Sequence, residues 1–147
     1  MVAKPIHILN GPNLNLLGSR EPEIYGTSTL ADIERMCAAR LGEYDLELKF
    51  DQSNDEGALV DMVQGARHAA SGLILNAGAY THTSIALHDA LQALEIPAIE
   101  VHLSNIFARE PFRQHSYISP TVQGVICGLG PKGYLLAIDA LASQIKE

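Results

Sequence analysis

Residues 46–75 read LELKFDQSNDEGALVDMVQGARHAASGLIL, and this stretch decides the fold class. Its two ends, residues 46–50 and 72–75, are short runs rich in apolar side chains, which is typical of buried strands. Between these runs, apolar residues recur at intervals of three and four: Leu59, Met62, Val63 and Ala66. That spacing predicts an amphipathic helix. A strand, a helix and a second strand in this order predict a βαβ unit with parallel strands.

The same alternation extends over the rest of the chain. Five runs have the composition of buried strands: residues 6–9, 46–50, 72–75, 98–103 and 124–127. None of them reads as a half-solvated strand, which indicates a sheet covered by helices on both faces. The pattern predicts an α/β fold with a flavodoxin-like, doubly wound sheet of five parallel strands in the order 2-1-3-4-5. Ligands of such sheets bind beyond the carboxyl ends of the strands, so we expect the functional site there.

Three further helices are predicted around this sheet. Thr29 and Asp32 have the spacing of a capping box, which marks a helix start. Apolar residues follow them at helical intervals: Leu30, Ile33, Cys37 and Leu41. Residues 83–94 and 131–145 form the other two helices, and the first of these carries its leucines on one face.

Length and composition exclude several classes of protein. The chain has 147 residues, of which 47% are apolar and 18% are charged, and this predicts a single folded domain over residues 1–147. A net charge of -7 disfavours nucleic acid and membrane surfaces as partners and favours small molecules. We recognise no signal peptide and no membrane-spanning run, so we expect a cytoplasmic protein. Cys37 and Cys127 have no partner motif and are expected to be buried packing residues.

Two long irregular segments leave the carboxyl ends of predicted strands. They are residues 10–28, the first loop, and residues 104–123, the second loop. Loops of this length in a compact domain are commonly lids or interaction surfaces. The first loop contains Arg20 and Tyr25, and a free phenol, with a pKa of about 10, needs a neighbouring cation to act as a base at neutral pH. These residues are compatible with a catalytic lid and equally with a plain surface loop.

Residues 76–84 turn from the third strand into a helix N-terminus. Free backbone N–H groups at such a position favour an anion, for example a carboxylate. His82 and Asp89 are seven positions apart and therefore share a helix face, an arrangement that is also common for a structural polar pair.

The fourth strand ends with Glu100 and His102 on the same side, because side chains alternate along a strand. The carboxylate is then able to orient the imidazole, so His102 is either a catalyst or a satisfied core residue. Arg109 and Arg113 follow in the second loop. Each arginine alone is weak support for a site, because most surface arginines are solvated.

Two features of the sequence resemble cofactor sites, one for a dinucleotide and one for zinc, but neither is complete. Residues 128–133 read GLGPKG and fit G-x-G-x-x-G, but the acidic residue expected about 20 positions later would lie beyond Glu147. We predict a tight strand-to-helix turn there instead. His82, His88 and His102 lack the spacing of a zinc site. We expect no metal and no organic cofactor.

A flavodoxin-like binding module for a nucleotide or flavin is the alternative class of function. Such a module needs a first loop of Gly, Ser and Thr that holds phosphate. The first loop of this chain instead carries Asn, Leu, Arg and Tyr, which favours an enzyme.

Several ordered motifs resemble one known family over essentially the whole chain. They are NLNLLG at 13–18, REP at 20–22, YG at 25–26, NAG at 76–78, THTS at 81–84 and EVHLSN at 100–105. Together they resemble the type II 3-dehydroquinate dehydratases. The resemblance implies a reversible trans-dehydration of 3-dehydroquinate to 3-dehydroshikimate, a step of the shikimate pathway, without metal or organic cofactor.

The resemblance also implies a role for each matched residue. Tyr25 is expected to be the base that removes the proton next to the ketone, and Arg20 to stabilise its phenolate. Asn13 is expected to hold a water that stabilises the enolate. His102 is expected to protonate the departing hydroxyl, with Glu100 setting its tautomer and basicity.

The remaining expectations concern substrate binding and assembly. The family resemblance assigns the substrate carboxylate to Asn76 and to the backbone amides of Leu103 and Ser104. It assigns the substrate hydroxyls to His82 and Arg113. Asp89 is expected to reach in from a neighbouring subunit, because the family assembles as a dodecamer built from trimers.

Overall fold

The computed structural model describes residues 3–145. Five strands form one sheet: β1 (Ile6–Asn10), β2 (Leu48–Gln52), β3 (Gly72–Asn76), β4 (Ala98–His102) and β5 (Gly124–Cys127). Five α-helices accompany them: α1 (Pro22–Tyr25), α2 (Leu30–Gly42), α3 (Glu56–Ala69), α4 (Ile85–Gln92) and α5 (Lys132–Ile145). No helix in this part of the chain is long and apolar enough to cross a membrane.

The sheet has the predicted topology. All four strand pairs are parallel, and the order is β2-β1-β3-β4-β5. The flavodoxin-like fold is thereby confirmed. The register places Asn10 at the end of β1 directly beside Asn76 at the end of β3. Polar residues that end neighbouring strands therefore meet at one edge of the sheet.

Helices cover both faces of the sheet and bury two apolar cores. On one face, α2 and α5 pack against Ile6, Ile8 and Ile74. On the other face, α3 and α4 pack against the alternate residues of the same strands, whose side chains point the opposite way. Leu9 and Leu75 are examples. The alternation of Ile8 with Leu9 explains why β1 is apolar at consecutive positions, since each residue faces a different core.

The two edge strands differ from the prediction of a sheet that is buried throughout. β1, β3 and β4 are buried at every position, whereas β2 and β5 are partly exposed. An edge strand has a neighbour on one side only, and Cys127 lies on one. Cys127 is therefore half-buried, contrary to expectation, whereas Cys37 is fully buried, and burial raises the pKa of the Cys37 thiol to about 12.

Some predicted element bounds were also wrong. Leu46 was expected to begin the second strand, but its N–H donates to the Leu41 carbonyl and closes the end of α2. Asp45 in this turn has a left-handed backbone, φ 57°. The fourth strand ends at His102, one residue earlier than predicted, and α4 is shorter than residues 83–94 at both ends.

The two long loops contain short helices that the sequence did not predict. The first loop includes a 3-10 turn, Leu14–Leu16, and α1, which has Pro22 in its first turn. The second loop includes three 3-10 turns: Ile106–Ala108, Pro111–Arg113 and Ser119–Thr121. The capping box of Thr29 and Asp32 is confirmed, since each side chain accepts from the backbone N–H of the other residue.

We predict that Gly11→Ala destabilises the fold. Gly11 follows β1, its N–H donates to the Asn76 carbonyl at 2.8 Å, and an added Cβ would lie 2.3 Å from the carbonyl oxygen of Ala77. The backbone would have to move, at a cost of about 1–3 kcal/mol in the free energy of unfolding. Urea unfolding measures this change.

The matched control is Gly65→Ala in α3, where an added Cβ meets open space. This variant should be at least as stable as the wild type, because alanine favours a helix over glycine by about 0.5–1 kcal/mol. Equal unfolding free energies for Gly11→Ala and the wild type would contradict the close approach described here.

Candidate active site

A cavity of about 180 Å³ lies beyond the carboxyl ends of β1, β3 and β4. Nine of the eleven site residues expected from the sequence line it: Asn13, Arg20, Tyr25, Asn76, His82, His102, Leu103, Ser104 and Arg113. Its small volume and many polar groups suit a small polar molecule. Glu100 lies beneath the cavity, and Asp89 lies elsewhere.

The floor of the cavity contains a buried pair, Glu100 and His102 in β4. His102 Nε2 lies 2.5 Å from Glu100 Oε2, and the exposed fractions of the two residues are 4% and 0%. Both side chains lie on one side of the strand, as the alternation indicated. Since Nε2–H donates to the carboxylate, the tautomer is set and Nδ1 is left for a group in the cavity.

Two serines from the second loop complete the surroundings of Glu100. The Ser119 hydroxyl donates to Oε1 at 2.6 Å, and the Ser116 hydroxyl lies 3.3 Å from both carboxylate oxygens. Burial by itself would raise the pKa of Glu100, but hydrogen bonds from His102, Ser119 and Ser116 and the nearby imidazole hold it below its ordinary value. The buried carboxylate is therefore charged at neutral pH.

A second imidazole, His82, lines the cavity beside His102, with the ring centroids 6.3 Å apart. Its Nδ1–H donates to the carbonyl of His115 at 2.8 Å. Burial lowers the pKa of His82, so the ring is neutral at pH 7. With Nδ1 protonated, Nε2 is an acceptor and suits a ligand hydroxyl.

The first loop contributes another part of the cavity lining. Tyr25 in α1 is half-buried, and the guanidinium carbon of Arg20 lies 4.9 Å from its ring centroid. A second guanidinium, from Arg109, lies 5.2 Å from the same centroid. The ring of Tyr25 thus lies close to two guanidinium groups, one from each long loop.

Arg109 lies in the site, although the sequence alone supported this only weakly. It lines the cavity, and its Nη1 lies 3.4 Å from the Ser104 hydroxyl. No local spacing could have shown this, because Arg109 and Tyr25 belong to different loops and are 84 positions apart. Ser116 and Ser119 were missed for the same reason.

Three further residues of the cavity are held by their local backbone. Asn13 has a left-handed backbone with φ 68°, and its N–H donates to the Asn54 side chain at 3.0 Å. Asn76 ends β3, and its Oδ1 accepts from the N–H of Gly78 at 3.2 Å. Arg113 lies in a 3-10 turn of the second loop with its Nε 3.2 Å from Glu110.

Asp89 lies outside the cavity of its own chain. Its side chain on α4 is 74% exposed, and its carboxylate contacts the neighbouring His88. His82 and Asp89 are therefore not brought together, because the helix starts only at Ile85 and His82 belongs to the preceding 3-10 turn.

The glycine-rich motif at residues 128–133 and the three histidines were the features that resembled cofactor sites. Gly128 and Gly130 have positive φ values of 88° and 62° and form the turn from β5 into α5. Within residues 3–145, no three His, Cys, Asp or Glu side chains are grouped so that they could hold a metal ion.

The fold and the site together define a class of protein. A flavodoxin-like α/β domain whose cavity is lined by a tyrosine close to two guanidinium groups and by a histidine paired with a buried carboxylate has the parts of a general acid–base enzyme. A family model described as dehydroquinase class II matches residues 4–142. The chain belongs to this family.

Similar proteins agree with the assignment to this family. The chain is 63% identical over 138 residues to the 3-dehydroquinate dehydratase of Azorhizobium caulinodans, covering 94% of this chain and 93% of the relative. It is 57% identical to that of Chelativorans sp., covering 98% and 100%. The crystal structure of type II dehydroquinase from Propionibacterium acnes superposes with a TM-score of 0.93 at 44% identity, covering 97% and 98%.

We predict that Glu100→Gln alters how stability depends on pH. A carboxyl whose pKa is lowered by folding stabilises the protein above its ordinary pKa, about 4.3, and this contribution is lost as the pH falls through the lower folded pKa. The wild type should lose unfolding free energy over that acid range, and the variant should lose less. Urea unfolding at a series of pH values below neutrality measures both.

Glu95→Gln serves as the control, because Glu95 is an exposed partner of Arg67 at the surface. This variant should keep the acid dependence of the wild type. Parallel curves for the wild type and Glu100→Gln would show that Glu100 is not the buried charge inferred here.

Proposed function

We propose that this chain catalyses the reversible trans-dehydration of 3-dehydroquinate to 3-dehydroshikimate, a step of the shikimate pathway, as a single catalytic domain. The observation that carries the proposal is that two groups able to transfer protons line one small cavity, Tyr25 on the first loop and His102 on β4. The names of the relatives support the same reaction. Elimination of water needs a base and an acid that are separate groups.

The first step removes the proton next to the substrate ketone. Tyr25, as phenolate, is the base, and the proton passes to its oxygen while the electron pair forms an enolate. Arg20 and Arg109 support this role, since their guanidinium groups lie 4.9 Å and 5.2 Å from the ring centroid. Asn13 lines the same cavity and is assigned to a water that donates to the enolate oxygen.

The second step expels the hydroxyl at C1. The enolate electrons re-form the ketone and a carbon–carbon double bond, and His102 protonates the departing hydroxyl so that it leaves as water. The charged Glu100 carboxylate beneath His102 stabilises the imidazolium that donates this proton. The product is a conjugated enone.

Substrate binding is assigned to the polar rim of the cavity. The substrate carboxylate lies at Asn76 and the backbone amides of Leu103 and Ser104, where β3 and β4 end. Its hydroxyls lie at His82, which offers Nε2 as an acceptor, and at Arg113, which donates.

We predict that variants at the two proton-transfer residues fail in different ways. Wild-type protein incubated with 3-dehydroquinate should produce the ultraviolet absorbance of the conjugated enone. Tyr25→Phe should lose about 10²–10⁴-fold in turnover, because the base is deleted, and should also lose solvent exchange of the α-proton. His102→Ala keeps the base, so it should lose turnover while the α-proton still exchanges.

Tyr44→Phe is the matched control, since the Tyr44 hydroxyl donates to Asp139 outside the cavity. It should turn over substrate at the wild-type rate. Near-normal dehydration by Tyr25→Phe or by His102→Ala would refute the corresponding assignment, and no enone from the wild type would refute the reaction itself.

We also propose that the chain assembles as a dodecamer built from trimers, with Asp89 completing a neighbour's site. The exposed position of Asp89 on α4 supports this arrangement, because it contributes nothing to its own cavity. Large apolar side chains near the cavity support it too, since Ile85, Phe107 and Phe112 are each more than half exposed.

The expected mass of the assembly is about 190 kDa, twelve copies of a 15.8 kDa chain. Light scattering measures it. Mixed refolding of Tyr25→Phe with Asp89→Asn should restore activity above that of either variant alone. Some sites then combine an intact Tyr25 from one chain with an intact Asp89 from its neighbour. A fully active monomer would overturn both the assembly and the shared site.

A further inference from the structure

A tyrosine outside the cavity connects two of the strand ends. Tyr134 in α5 is fully buried, with an exposed fraction of 0%. Its hydroxyl donates to Asn10 Oδ1 at 2.7 Å and accepts from Asn76 Nδ2 at 2.9 Å. Asn10 and Asn76 are register partners in β1 and β3, so a single hydroxyl from α5 joins both of them.

The direction of these hydrogen bonds is fixed by the backbone at both ends. Asn10 Nδ2 donates to the Asp51 carbonyl at 3.0 Å, so its oxygen must face Tyr134. Asn76 Oδ1 accepts from the Gly78 N–H at 3.2 Å, so its nitrogen must face Tyr134. A hydroxyl has one proton to donate, and here that proton goes to Asn10.

Tyr134 remains a neutral hydroxyl in this position, because burial raises its pKa above the ordinary value. One hydrogen of Asn76 Nδ2 is used by Tyr134. The other has no partner within residues 3–145, and Asn76 lines the cavity, so we infer that this hydrogen is available to a ligand there.

We propose that Tyr134 is a positioning residue that, together with the Gly78 N–H, makes Asn76 present an N–H donor, rather than its carbonyl oxygen, to the substrate carboxylate. This inference rests on the proposed function, in which Asn76 binds that carboxylate. If the amide turned over, its oxygen would face the carboxylate, and two acceptors would repel each other. Tyr134 thus selects for an anionic group at this end of the cavity.

The test compares Tyr134→Phe with the wild type in steady-state kinetics. Phenylalanine keeps the buried ring but removes the hydroxyl, one of the two groups that orient Asn76. KM for 3-dehydroquinate should rise about tenfold with kcat changed less than about twofold, because the carboxylate is bound equally in the ground and transition states. Tyr44→Phe removes a hydroxyl that donates to Asp139, which is farther along α5 and does not line the cavity, and it should leave both constants unchanged.

A double-mutant cycle separates positioning from a general structural effect. In an Asn76→Ala background, Tyr134→Phe should cause no further rise in KM, because the residue through which it acts is gone. An equal rise in KM in both backgrounds would overturn the proposal, and so would an unchanged KM in Tyr134→Phe when Asn76→Ala alone raises it. A wild type that does not turn over 3-dehydroquinate would instead refute the proposed function.

Neutron diffraction of deuterium-exchanged wild-type crystals tests the orientation without a variant and without activity. We expect two deuterons on the Asn76 side-chain atom that faces Tyr134, and the Tyr134 hydroxyl deuteron directed at Asn10. An Asn76 oxygen facing Tyr134 would overturn the proposal.

Discussion

The buried carboxylate of Glu100 is the constraint on which the site depends. A fully buried carboxylate is costly unless donors surround it. His102, Ser116 and Ser119 supply those donors, and two of the three come from the second loop. The need to satisfy one charge in β4 therefore fixes the part of the second loop that contains Ser116 and Ser119 and orients the imidazole above it.

The site has two parts, the end of β4 with its buried carboxylate and the first loop. His102, the proposed acid, lies at the end of a central strand that is buried at every position. Tyr25 lies in the first loop, in a four-residue helix with no buried side chain. Its ring packs against one of the apolar cores and lies close to the guanidinium groups of Arg20 and Arg109. A proposed acid on a buried central strand and a proposed base on a loop suit a reaction in which substrate enters before the base is brought to it.

The sequence predicted the sheet well because apolar runs and helical spacing are local signals. It also placed Glu100 beside His102, since alternation in a strand is local too. It could not show that Ser119, Arg109 or Tyr134 contacts a site residue. Each of them contacts residues far away in the sequence, and helical or strand periodicity reports only on near neighbours. Tyr134 is 58 positions from Asn76, and its contact depends on how α5 packs on the sheet. The prediction that Cys127 is buried was wrong, because composition does not show which strand lies at an edge of the sheet.

The most direct test of this account is the protonation state of Glu100. Infrared difference spectra of the wild type minus Glu100→Gln, recorded as the pH is lowered from neutrality, isolate the carboxyl of this one residue. The account predicts a carboxylate band at neutral pH, replaced by the C=O band of the acid only below the ordinary glutamate range. A protonated acid band at neutral pH would contradict the charged pair beneath the cavity.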